Sequence, residues 1–179
     1  MLITRLTSNT QRLEATQIIN LPRRDVFAFF SDPRNLEAIT PPWLRFRITS
    51  QSTTEMGQGT ELKYRLKVHG LPMTWVSRIV EWEQDRQFVD VQEKGPYAYW
   101  HHRHIFEEVN GGTLIRDQVD FQIPFGKLGR MLVGKMVERD IREIFRYRSD
   151  LTERLLSIPS RSTFPGNAWV PLRAPVTWH

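Results

Sequence analysis

Two histidines spaced i, i+2 in an aromatic run are the side chains best suited to chemistry in this sequence. Gly95-Pro96 supplies a turn, and in the extended stretch that follows alternate side chains face opposite ways. His102 and His104 therefore share a face with Trp100 and Phe106, while Tyr99, His101, Arg103, Ile105 and Glu107 take the other. Imidazole changes charge near neutral pH, so such a pair suits proton transfer or metal ligation. Asp117 falls on the next predicted strand, on the face of Ile115, Val119 and Phe121. A carboxylate on an inward face is costly unless paired. Pairing across the hairpin with His102 or His104 would fix an imidazole tautomer and raise its pKa, as an acid/base device needs. A metal held by both imidazoles and Asp117 is the sharper alternative, but it lacks a clear third and fourth ligand. His101 faces away, and His69 and His179 fall in a turn and a tail. No metal and no cofactor is expected.

Around these residues the alternation collects a predicted ligand lining. Asp90 and Gln92 share the inward face of Phe88, and Tyr64, Trp75, Trp100 and Phe121 give aromatic walls that can orient a ligand through their few polar atoms. With His102, His104 and Asp117 they make up the candidate site. Trp43 and Leu44 are placed at its rim, and Arg78 either on the outer face or at the mouth. Gly57-Gln58-Gly59 has neither the spacing nor the context of a phosphate loop. Serine nucleophile elbows and His-Glu-x-x-His helices are absent, which counts against hydrolases and nucleotide enzymes.

The elements that must position these side chains are legible in the periodicity. Residues 1–11 read as a polar lead-in. Leu13–Ile19 reads as a strand, and a helix from Arg23 shows Val26, Phe27, Phe29 and Phe30 on one face. Pro33 stops it and opens a second short helix, Arg34–Ile39. Strands follow at Phe46–Ser50, Glu61–His69, Met73–Glu83, Phe88–Glu93, Trp100–Phe106 and Thr113–Ile123, the last two joined by Asn110-Gly111-Gly112. A long helix then runs from Lys127 to about Ser157, with Leu128, Met131, Leu132, Met136, Val137, Ile141, Ile144 and Phe145 on its apolar stripe. The sum is an α+β domain over 12–157. Its antiparallel sheet of about seven strands curls round the long helix, and a cavity lies between them. A Pro-rich tail, 158–179, follows.

Composition narrows the partners. The formal charge is +5, but Arg161 and Arg173 lie in 157–179 without an acid, and the rest carries an excess of only +3. That excess is interleaved with acids, so no nucleic-acid partner is expected. No run approaches the roughly 18 apolar residues of a membrane span, so no stable membrane insertion is expected. The sequence holds no cysteine, which favours a reducing compartment and a cytoplasmic location.

The order of elements, with Leu21-Pro22, Val26-Phe27, Phe30 and Asp32-Pro33 near the start, resembles the START/Bet v 1-like superfamily of helix-grip proteins. Phe88 to Gln92, Gly95-Pro96, Trp100 to Phe106, Thr113, Asp117 and Pro124-Phe125-Gly126 resemble its bacterial single-domain members, labelled polyketide cyclase/dehydrase-like or SRPBCC ligand-binding proteins. The resemblance covers Leu13 to Leu156. It implies a helix-grip fold and a hydrophobic cavity, and it leaves the reaction open, since the superfamily spans lipid transfer, hormone sensing, cyclisation and co-chaperone work. The leading expectation is binding or transport of a small hydrophobic molecule, a lipid, polyketide-like aromatic or isoprenoid. The alternative is a cyclase/dehydrase using His102, His104 and Asp117 as acid/base groups. A third is an interaction module built on Trp169 and Trp178 of the tail.

Overall fold

Alternation of apolar and polar side chains builds most of this molecule. In the computed structural model, which describes residues 1–157, eight strands form one antiparallel sheet. The tail 158–179, with Trp169, Trp178 and the interaction-module reading, lies outside the described residues. The strands are β1 Leu2–Arg5, β2 Thr10–Ile19, β3 Arg47–Gln51, β4 Glu61–Val68, β5 Leu71–Glu83, β6 Gln87–Lys94, β7 Tyr99–Val109 and β8 Gly112–Gln122. Their spatial order is β1-β2-β8-β7-β6-β5-β4-β3. Helices α1 Arg23–Phe30 and α2 Pro33–Ala38 follow β2, a 3-10 turn covers Pro42–Leu44, and α3 Gly126–Ser157 closes the domain. This is the expected curved sheet gripping a long helix.

The sheet has eight strands where about seven were expected. The extra one, β1, lies in the stretch read as a lead-in. Its pattern was too short and polar to show a period, since only Ile3 turns partly inward; pairing with β2 from Leu2↔Glu14 to Arg5↔Gln11 creates it. β2 in turn pairs β8, with Leu13 opposite Val119 and Ala15 opposite Asp117. That non-sequential pairing brings the strand before the short helices beside the last strand, and the inward faces of β4 to β7 line the concave wall of the domain.

Helix α1 buries Val26, Phe27 and Phe29. Phe27 meets Trp82, Phe88 and Phe106 edge-on at 5.2, 5.9 and 5.3 Å, the preferred geometry of aromatic pairs. Helix α3 contributes Ile141, Phe145, Thr152 and Leu156 to the core. Its amino-terminal half behaves otherwise. Val133, Met136 and Val137 line a cavity, while Leu128, Met131 and Leu132, expected on the buried stripe, point to solvent. Gly129 lets this half approach the end of the sheet, since a Cβ there would lie 1.8 Å from the Pro124 carbonyl oxygen. None of the described helices is long and apolar enough to cross a membrane.

Candidate functional site

The concave face of the sheet, α3 and the segment from α2 to Leu44 enclose a cavity of about 840 Å³. Of the sidechains expected to line it, Tyr64, Trp75, Phe88, Asp90, Trp100, His102 and His104 do so. Trp43 and Leu44 lie at its edge, Trp43 against Tyr147 at 5.4 Å. Three others go elsewhere. Gln92 turns back on its own hairpin, where its amide donates to the Tyr97 carbonyl at 2.7 Å and accepts from the Tyr97 N–H at 3.2 Å. Phe121 is fully buried in the core with Leu13, Val119 and Phe145. Asp117 stands behind the histidines rather than on the cavity surface. Arg78 takes the outer face, bridging Glu61 and Glu93 at 2.6 and 2.9 Å.

The histidines and two aspartates form one compact cluster. Register places His104 opposite Asp117 on β8 and His102 opposite Asp90 on β6. Asp117 Oδ1 lies 2.9 Å from both His102 Nε2 and His104 Nδ1. The other ring nitrogens face Asp90 Oδ1, His104 Nε2 at 3.3 Å and His102 Nδ1 at 3.6 Å. The imidazoles lie with centroids 3.7 Å apart, and Phe88 stacks on His104 at 4.2 Å. Both histidines are buried.

Burial alone would push both carboxyls up. The histidine hydrogen bonds and charges outweigh it, holding Asp117 far below the usual carboxylate range and Asp90 below it. The two imidazoles diverge. Burial and the neighbouring His104 lower His102, whereas at His104 the hydrogen bonds to Asp117 and Asp90 overcome burial and raise it. Burial, reinforced by the Asp90 charge, lifts the Tyr64 hydroxyl well above its ordinary value, so it stays a neutral donor.

Sequence reasoning missed two contributors. Ser77 is the hub of a polar relay, with Trp75 Nε1 donating to its Oγ at 3.0 Å and the Tyr64 hydroxyl 2.9 Å away. Its single proton is left to donate to Asp90 Oδ2 at 3.4 Å, which aims the other Asp90 oxygen at the histidines. The signal was its place between Trp75 and Ile79 on an inward face. The second is Arg148, which lines the cavity while its Nε is buried without a hydrogen-bond partner. Its charge helps lower Asp90. The helical spacing Ile141, Phe145, Arg148, Thr152 puts this cation on the buried stripe, a signal visible in sequence.

Residues 19–146 match the protein family described as polyketide cyclase/dehydrase and lipid transport. Among solved structures the chain is similar to the ZhuI aromatase/cyclase from Streptomyces sp. R1128, with 18% identity, a TM-score of 0.63 and coverage of 84% of this chain and 98% of that one. It is also similar to Ara h 8.0201, with 16% identity, a TM-score of 0.58 and coverage of 80% and 97%. A point mutant of norcoclaurine synthase from Thalictrum flavum, in complex with a transition-state analogue, has 12% identity, a TM-score of 0.62 and coverage of 85% and 97%. At these identities the likeness is one of fold. No curated protein matches the chain by sequence.

Proposed function

The chain belongs to the polyketide cyclase/dehydrase and lipid transport family, and we propose that it binds and carries a small hydrophobic molecule, a lipid, polyketide-like aromatic or isoprenoid, between its sheet and α3. The observation that carries this reading is the cavity: about 840 Å³, within the usual range of small-molecule sites, and walled by aromatic and aliphatic side chains. Its lining also carries polar groups: Asp90, His102 and His104 on the sheet and Arg148 on α3 form one set, and Lys67, His69, Arg139, Asp140 and Glu143 form another. A ligand with an apolar body and an oxygen-bearing group fits such a lining. The body would lie against Tyr64, Trp75 and Trp100, and the polar end would meet the cluster. The cysteine-free sequence fits a cytoplasmic carrier.

Native mass spectrometry of the purified full chain tests this. A co-purifying apolar molecule, released on denaturation, is the expected result. A second reading is favoured by the cluster itself: a cyclase/dehydrase-type enzyme in which His102 and His104, backed by Asp117, act on a polyketide-like substrate. Consistent absence of a co-purifying molecule, together with turnover abolished by His104→Ala, would favour the enzyme over the carrier.

A further inference from the structure

We propose that Asp90, His102 and His104 form a binding site for one divalent transition-metal ion of the zinc or ferrous class, open to the cavity. On sequence grounds the carboxylate beside the histidine pair is Asp117, and a clear third and fourth ligand are lacking. The fold supplies a different carboxylate. One nitrogen of each imidazole and a carboxylate oxygen of Asp90 all lie within 4.8 Å of one another. Ligands at about 2.0–2.1 Å from a zinc-like ion are separated from each other by roughly 2.9–3.4 Å, the edge of an octahedron or tetrahedron. Asp90 Oδ1 is 3.3 Å from His104 Nε2 and 3.6 Å from His102 Nδ1, so along these two edges an ion needs a closure of only a few tenths of an ångström, while the edge between the two imidazole nitrogens is at most 4.8 Å.

The surroundings match what such a site requires. Metal-bound histidines present their other ring nitrogen to a carboxylate or carbonyl, which fixes tautomer and orientation. Here His102 Nε2 is hydrogen-bonded to Asp117 Oδ1 at 2.9 Å, and His104 Nδ1 lies at the same distance from that oxygen without an aligned hydrogen bond. Asp90 is oriented in turn by Ser77 through its second oxygen, leaving Oδ1 for the ion. Charge points the same way. Without an ion, His104 Nε2 hydrogen-bonds Asp90 Oδ1 at 3.3 Å, and a cation between them would take the place of that proton. Two buried carboxylates are neutralised by one divalent ion with both imidazoles neutral.

Two nitrogens and one carboxylate suit zinc or ferrous iron rather than magnesium or calcium, which prefer oxygen-only shells. Three protein ligands leave at least one coordination position, and since Asp90, His102 and His104 all line the cavity, that position faces a bound molecule. The ion would take an oxygen of the ligand and fix its orientation.

The test uses the untagged full chain, stripped by chelator and titrated with Co(II) as an optical probe and with Zn(II) as competitor. One equivalent of Co(II) is expected, with visible bands of a low-symmetry, four- or five-coordinate site that Zn(II) abolishes. Asp90→Asn and His104→Ala should each remove the bands, and Asp117→Asn should weaken binding by about tenfold or more. His101→Ala, on the opposite face of the same strand, should leave the titration unchanged. If His104→Ala fails to fold by circular dichroism, the near-isosteric Asp90→Asn decides. Absence of stoichiometric binding, binding that survives Asp90→Asn, or loss confined to Asp117→Asn would each overturn the proposal.

Discussion

At the scale of single residues, Ser77 carries more of the site than its size suggests. It accepts from two aromatic donors and donates to Asp90, so its removal leaves three polar groups to find other partners in a buried wall. Ser77→Ala should destabilise the domain by about 1–3 kcal/mol in denaturant titration, the usual cost of orphaning buried donors and acceptors. A change below about 0.5 kcal/mol would mean that Trp75 and Tyr64 are satisfied without it. Arg148 makes the complementary case. Its Nε is buried without a hydrogen-bond partner, so it is suited to an acidic ligand group. Arg148→Met keeps the aliphatic bulk, and it should weaken an anionic aromatic probe such as anilinonaphthalene sulfonate by about tenfold or more while sparing a neutral one. Equal loss for both probes would make Arg148 a packing residue. The histidine pair and Asp117 were legible in sequence because alternation alone fixes which face they take. Asp90 was legible as inward, but its meeting with the histidines depends on the β6–β7 register, in which Asp90 faces His102. Gln92 shares that alternation and still leaves the cavity, because the tight turn after Lys94 offers its amide two backbone partners.

At the scale of elements, helix ends decide how the cavity is framed. Asp32 caps α2, accepting from the Arg34 N–H at 2.9 Å, with Pro33 in the first turn. Asp32→Ala should cost about 1 kcal/mol of stability at neutral pH. Burial alone would raise the Asp32 pKa, but the Arg34 side chain and N–H hold it below the ordinary value. Its charged-state contribution is therefore complete above the unfolded carboxyl pKa and is lost as pH falls through the lowered folded one. The gap between the wild-type protein and Asp32→Ala should accordingly narrow in acid; a gap that widens would contradict the cap. Gly129 frames the other end. Alanine gains about 1 kcal/mol over glycine in an ordinary helix interior, yet here the added methyl would collide with the Pro124 carbonyl oxygen. Gly129→Ala should therefore lower Tm rather than raise it. Strand and helix existence could be read from period, but β1 could not, since it is created by its partner. The exposure of Leu128, Met131 and Leu132 was hidden too, because an apolar stripe reports the preference of a helix and not how far the sheet beneath it extends.

At the scale of the molecule, two apolar surfaces compete for any hydrophobic ligand. One is the cavity, and the other is the outer side of the amino-terminal half of α3, where Met131 and Leu132 are 76% and 71% exposed. Val137 is half-buried and lines the cavity from the same helix, so the two can be separated without touching the cluster. Val137→Trp projects an indole into the enclosed space. In a close-packed core such an insertion costs roughly 1–3 kcal/mol; facing a cavity of about 840 Å³ it should cost less, and Tm should change little. Uptake of a neutral hydrophobic probe should fall by about tenfold or more, a difference of ~1.4 kcal/mol that loss of one contact surface can supply. The paired variant Met131→Ser with Leu132→Ser removes the outer patch and should leave uptake unchanged. If Val137→Trp folds and binds as before while the serine variant does not, the ligand lies on the outside of the helix, and the enclosed volume is not the binding site.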